Sequence, residues 1–158
     1  MTKATGSILL VDDEAKIRNA LSQALREEGH EVMAVGSPRE AQRLLPRGAF
    51  DVLLVDNLMP ELTGLDLIRE LISTTAVADR PQILLMTAHA TVESAIEAMK
   101  LGALDYLQKP FEIDELLVVV SRALEHQRLR TEYRYLQTER DEQFGHYGII
   151  GRSRPMIP

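Results

Sequence analysis

The sequence contains no cysteine, which excludes a disulfide framework, a thiolate metal site and a cysteine nucleophile. No apolar run approaches the roughly 18 residues of a membrane span. The N-terminus, Met1 to Ser7, lacks the apolar stretch of a secretory signal. A soluble cytoplasmic protein with no membrane contact is therefore expected. Positive charge is not in excess: 18 Lys+Arg stand against 24 Asp+Glu, a formal −6, which argues against holding nucleic acid by bulk electrostatics. No G-x-x-x-x-G-K-[ST] segment occurs, so these residues cannot hydrolyse ATP by that route. What is present is 158 residues, 45% of them apolar, ample for one domain with a sizeable core and an appendage. The charge is uneven. Residues 1–125 carry 12 basic and 20 acidic residues, whereas residues 126–158 carry 6 and 4.

Short apolar runs alternate with amphipathic stretches from residue 7 to 125. The runs are Ile8-Leu9-Leu10-Val11, Val32-Met33-Ala34-Val35, Val52-Leu53-Leu54-Val55, Ile83-Leu84-Leu85-Met86, and the broken Ala103-Leu104 with Tyr106-Leu107. Consecutive apolar positions over four or five residues suit strands buried on both faces of a parallel sheet, with the weaker second and fifth at its edges. Between them, Ile17, Ala20, Leu21, Ala24 and Leu25 follow helical spacing, and Gly29 stands at a left-handed stop. Ser37-Pro38-Arg39-Glu40 supplies a capping Ser, a Pro at the first helical position and Glu three residues after the cap. Further helical stripes are Leu65/Ile68/Leu71/Ile72, then Val92/Ala95/Ile96/Met99 ended by Gly102, then Ile113/Leu116/Leu117/Val120/Leu124. Five such repeats predict a doubly wound α/β domain with helices on both faces of a parallel sheet.

In such a sheet, function collects at the carboxyl ends of the strands. After the first run come Asp12-Asp13-Glu14, after the third Asp56, after the fourth Thr87-Ala88, and after the fifth Lys109-Pro110. Taken singly, these are a helix cap, a turn and a local hydrogen-bonder. Their joint placement is what carries a functional reading. Asp12, Asp13 and Asp56 packed together repel one another unless a cation is bound. Donors that are oxygen only favour a hard octahedral ion, Mg²⁺ first. A carboxylate beside such an ion, with Lys109 and Thr87 near, suits a nucleophile in phosphoryl transfer.

These residues resemble a response-regulator receiver domain, the phosphoacceptor half of two-component signalling. The motifs are Leu10-Val11-Asp12-Asp13-Glu14, Asp56-Asn57-Leu58-Met59-Pro60 with Gly64, Met86-Thr87-Ala88, and Tyr106-Leu107-Gln108-Lys109-Pro110-Phe111. The resemblance implies a flavodoxin-like five-stranded sheet of order 2-1-3-4-5 over residues 6–125. It implies that Asp56 accepts a phosphoryl group from a sensor histidine kinase. Mg²⁺ would be held by Asp13, Asp56 and the backbone carbonyl of Leu58, with Asp12 acting through water. Thr87 would contact the phosphoryl group and switch together with Tyr106, Lys109 would pair with a phosphoryl oxygen, and the Lys109–Pro110 peptide is expected to be cis. Leu58 and His89 fall where receivers vary. An apolar Leu58 cannot position an attacking water, so a slowly hydrolysing phosphoaspartate is expected, with His89 an exposed loop residue. Asn57 should point away from the acceptor.

The fifth helical pattern runs on without Gly or Pro from Glu125 to Glu142, with Leu129, Tyr133 and Leu136 spaced by four and three. That is either a short coiled-coil seam or a solvated linker helix. Residues 126–143 resemble the linker of NtrC-type sigma-54-dependent activators. Residues 144–158, Gly-rich and unlike a helix, resemble the opening of their AAA+ ATPase domain, as in a chain cut just inside a second domain. The resemblance implies a homodimer through the fourth-to-fifth helix face and the linker helix, with DNA reached only through a further C-terminal domain. The chain is then a regulatory domain and not an enzyme. A stand-alone receiver or phosphorelay intermediate is the alternative. An aspartyl-phosphate phosphatase of the haloacid-dehalogenase type would need D-x-D, but position 58 is Leu. A nucleotide-binding module would need a phosphate cradle where Asp12-Asp13-Glu14 stands.

Overall fold

Residues 5–88 and 92–146 are described by a computed structural model. The chain separates into two units, residues 1–125 and 126–158. In the first, strands β1 (Ser7–Val11), β2 (Glu31–Val35), β3 (Val52–Asp56), β4 (Gln82–Thr87) and β5 (Asp105–Gln108) alternate with helices α1 (Ala15–Glu27), α2 (Pro38–Leu44), α3 (Gly64–Thr74), α4 (Val92–Leu101) and the start of α5 (Ile113–His146). All four strand pairings are parallel, in the order β2-β1-β3-β4-β5. This is the doubly wound sheet that the alternation predicts, in the flavodoxin-like order that the resemblance implies, with the two weakest runs at its edges.

The central strands are apolar on both faces because helices cover both. Leu9, Val11, Leu53, Val55, Ile83 and Leu85 point to one side, where Ala41 of α2, Leu67, Ile68 and Leu71 of α3 and Ala98 of α4 meet them. Ile8, Leu10, Val52, Leu54, Leu84 and Met86 point to the other, against Leu21 and Leu25 of α1 and Leu116, Val120 and Leu124 of α5. The period of two along each strand divides the core into these layers.

The local signals act as read. Ser37 caps α2 by accepting from the Glu40 amide, with Pro38 at the first helical position. Gly29 (φ +97°) and Gly102 (φ +115°) take the left-handed conformation at the ends of α1 and α4. One helical stripe broadens and another shifts. In α3 the buried residues are Gly64, Leu65, Leu67, Ile68 and Leu71, so Leu65, Ile68 and Leu71 are buried as expected, Leu67 joins them and Ile72 only flanks the core. In α4 the expected stripe does not face the core. Ile96 and Met99 are 48% and 47% exposed, and Ala98 is the residue fully buried. A small side chain there brings the helix close to the sheet, and the larger apolar neighbours on either side are turned outward.

In the second unit α5 is helical through His146. The expected break at Phe144-Gly145 does not occur by that residue, since a single Gly costs a helix only about 1 kcal/mol. Arg128 and Glu132 form an i,i+4 pair at 2.7 Å, and Gln137 donates to the Tyr133 hydroxyl at 2.9 Å. Leu129, Tyr133 and Leu136 are exposed. The remainder of the expected ATPase opening, residues 147–158, lies outside the described residues, as does His89.

Candidate functional site

Strand register assembles the site. Val11 pairs with Val55, so Asp12, one residue beyond β1, stands beside Asp56, the last residue of β3. Asp56 pairs with Met86, and Thr87, the last residue of β4, pairs with Gln108. Lys109 follows directly, and its amide donates to the Thr87 carbonyl at 2.8 Å. The neighbouring ends of β1, β3, β4 and β5 thus present two carboxylates, a hydroxyl and an ammonium on one rim. Asp12, Asp56 and Thr87 are buried, while Asp13 is exposed.

Lys109 joins the carboxylates. Its Nζ donates to Asp12 Oδ2 at 2.9 Å and lies 3.4 Å from Asp56 Oδ1. Asp12 is held at its other oxygen, Oδ1, which accepts from the Glu14 amide at 2.9 Å. Its backbone carbonyl accepts from the Arg18 guanidinium at 2.8 Å. Asp56 also accepts from the Leu58 amide.

These contacts do not balance the charge. Burial is the largest influence on Asp56 and raises its pKa; Lys109 pulls it down, Asp12 pushes it up, and the result is about 6 against the ordinary 3.8. Lys109 moves up as well: burial lowers it, but its bonds and attraction to Asp12 and Asp56 outweigh that. Three carboxylates against one ammonium leave an excess of negative charge.

The carboxylates fit a hard cation. Asp12, Asp13 and Asp56 each offer an oxygen, and these oxygens all lie within 4.8 Å of one another. An oxygen-only set carrying uncompensated charge suits Mg²⁺ and offers nothing to softer metals.

Tyr106, on β5 opposite Leu85, stops two positions short of the residue paired with Thr87, and it is 38% exposed. The Lys109–Pro110 peptide is cis. Leu58 turns its side chain to solvent, 48% exposed, while its amide faces Asp56. Asn57 does point elsewhere: its Oδ1 accepts from the Leu65 amide at 3.1 Å. The tie from Arg18 to Asp12 and the Leu58 amide had no signature in the sequence. Gly64 did, as a glycine at fixed distance from Asp56. A Cβ there would come within 2.7 Å of the Asp56 carbonyl oxygen and 2.9 Å of Asn57 Cα. Beside Lys109, an apolar recess of about 460 Å³ is lined by Ile17, Ala20 and Leu21 of α1 with Pro110, Phe111 and Ile113.

Fold and site together define a flavodoxin-like domain whose strand ends carry a cluster of three carboxylates with a lysine set against it. The sequence profile of the family described as "Response regulator receiver domain" matches residues 8–121. The regulatory protein AtoC of Escherichia coli is 41% identical over 133 residues, covering 84% of this chain and 28% of its own length. The transcriptional regulator NtrC of Azospirillum brasilense is 36% identical over 153 residues, covering 97% of this chain and 31% of its own. A solved Francisella response regulator receiver domain superposes with a TM-score of 0.71 at 30% identity, over 77% of this chain and 98% of that one. The chain belongs to the response regulator receiver domain family. It spans about a third or less of the length of each of these two regulators.

Proposed function

We propose that Asp56 is the phosphoacceptor of a two-component response regulator, and that its phosphorylation by a sensor histidine kinase switches a sigma-54-dependent activator of the NtrC type. The observation that carries this reading is Asp56 itself: a buried carboxylate, pushed up to about 6, at the end of a central strand with Lys109 3.4 Å away. An Asp56 carboxylate oxygen attacks the phosphorus of a phosphohistidine, the P–N bond breaks with its electron pair left on the imidazole nitrogen, and that nitrogen takes a proton from solvent. Asp12, Asp13, Asp56 and the Leu58 carbonyl would hold Mg²⁺, which when bound supplies positive charge against the phosphoryl oxygens. Lys109 exchanges part of its pairing with Asp12 and Asp56 for a phosphoryl oxygen, a stronger, dianionic partner. Thr87 donates its hydroxyl to another, and that movement is passed to Tyr106, which turns inward.

The chain is a switch and not a turnover enzyme. Leu58 offers no group to position water, so the acyl phosphate decays slowly. A kinase domain delivering phosphohistidine must cover the rim of strand ends, and the apolar recess of Ile17, Ala20 and Phe111 beside Lys109 gives it a surface to bury. Homodimerisation uses the exposed Ile96, Met99 and Val118 of the α4–α5 face and Leu129, Tyr133 and Leu136 of the linker helix. Residues 144–158 open an AAA+ ATPase domain, and DNA contact belongs to a domain outside these residues. The protein works in the cytoplasm.

Incubation with Mg²⁺ and acetyl phosphate is expected to add one phosphate, and Asp56→Asn to abolish it. Labelling that persists in Asp56→Asn overturns the assignment.

A further inference from the structure

The first amides of a helix find no acceptor within the helix and need one elsewhere. At the start of α3, Asn57 provides two. The Gly64 amide donates to the Asn57 carbonyl at 3.0 Å, and the Leu65 amide donates to Asn57 Oδ1 at 3.1 Å. A third amide, that of Asp66, is taken by the Thr63 hydroxyl at 3.1 Å. Asn57's own amide donates to the Met86 carbonyl of β4 at 2.8 Å. One residue, adjacent in sequence to Asp56, therefore ties the end of β3 to its neighbouring strand and to the next helix.

Between these ties runs the segment 58–63. It is closed on itself by the Leu62 amide bonding to the Pro60 carbonyl at 2.8 Å. It also carries Glu61 at φ +74°, a left-handed conformation that a non-glycine residue adopts only when its surroundings hold it there. Gly64 lets the returning chain lie against the Asp56 and Asn57 backbone. Inside this loop sits Leu58, whose amide bonds the Asp56 carboxylate.

We infer that Asn57 is a positioning residue, whose side-chain carbonyl docks α3 onto the end of β3 and so sets the Leu58 amide and carbonyl against Asp56. This rests on the reading of Asp56 as phosphoacceptor and of the Leu58 carbonyl as a cation ligand. A helix cap with no bearing on the site would behave like Thr63, which caps the same helix but leaves both Asn57 ties in place.

The test uses the full chain in four forms: wild type, Asn57→Ala, Asn57→Asp and Thr63→Ala. Amide hydrogen exchange at Leu58 and Leu65 is read without metal, followed by Mg²⁺ affinity and the rate of phosphorylation by acetyl phosphate. Asn57→Ala is expected to lose protection at both amides and to bind Mg²⁺ about ten-fold more weakly, the scale seen when a group orienting a metal ligand is removed. Asn57→Asp keeps the acceptor and restores both. Thr63→Ala loses stability yet keeps wild-type Mg²⁺ affinity. Unchanged affinity in Asn57→Ala, or an equal loss in Thr63→Ala, overturns the inference. If Asn57→Ala does not fold, Asn57→Ser, which shortens the acceptor, carries the same expectation. A wild type that takes up neither Mg²⁺ nor phosphate defeats the phosphoacceptor reading instead, and exchange at Leu58 still decides whether Asn57 positions the loop.

Discussion

Replacing the phosphoacceptor by its neutral isostere should stabilise the metal-free domain. Burial first, and repulsion from Asp12, raise Asp56 from 3.8 to about 6, net of the opposing pull of Lys109. At 1.36 kcal/mol per pH unit, ionising Asp56 costs the native state about 3 kcal/mol more than it costs the unfolded chain. The sign follows from the folded value lying above the unfolded one. Below about 3.8 both states are protonated and nothing is lost; stability falls as pH rises through about 6 and stays low above it. Asn cannot ionise and escapes the loss. The advantage of Asp56→Asn should therefore be about 3 kcal/mol near pH 7.5 and about 1 kcal/mol near pH 4.5. With no tryptophan in the sequence, urea unfolding is followed by far-ultraviolet circular dichroism, with chelator present. Added Mg²⁺ should then stabilise wild type, by mass action on the native state, and the variant far less. Equal stabilities, or an advantage that does not change with pH, would refute the electrostatic account of the cluster.

Three other outcomes are expected. Gly64→Ala forces a Cβ against backbone on two sides; it should cost about 1–3 kcal/mol of stability and sharply slow phosphorylation, both measurable on the purified chain. Ala20→Glu places a charge in the recess beside Lys109; transfer from a phosphorylated histidine kinase should fall about ten-fold or more, with acetyl phosphate labelling unchanged. Leu58→Gln supplies a polar group able to orient water, and the phosphorylated protein should lose its label several-fold faster in a decay assay.

The strands, the Ser37 cap and the converging strand-end side chains were legible because each depends on local pattern, whereas the strand order came from the family resemblance. Buried parallel strands read as unbroken apolar runs, and Asp12, Asp56, Thr87 and Lys109 sit at their ends by position alone. What escaped depends on geometry between elements. The α4 stripe failed because Ala98, a small residue outside it, sits against the sheet while Ile96 and Met99 turn outward, and periodicity gives every apolar residue equal weight. Asn57 could be placed away from the acceptor, but its bond to the Leu65 amide requires the return path of the chain through Gly64. The Leu58 side chain and amide face opposite ways, and only the folded loop shows that the amide, not the leucine, meets Asp56.

The most direct test of the central claim is to locate the phosphoryl group. After labelling with acetyl phosphate and Mg²⁺, borohydride converts an aspartyl phosphate to homoserine, and peptide mass spectrometry finds the converted residue. Conversion at Asp56 alone is the predicted result. Conversion at Asp12 or Asp13, or label that borohydride leaves intact, would contradict the account.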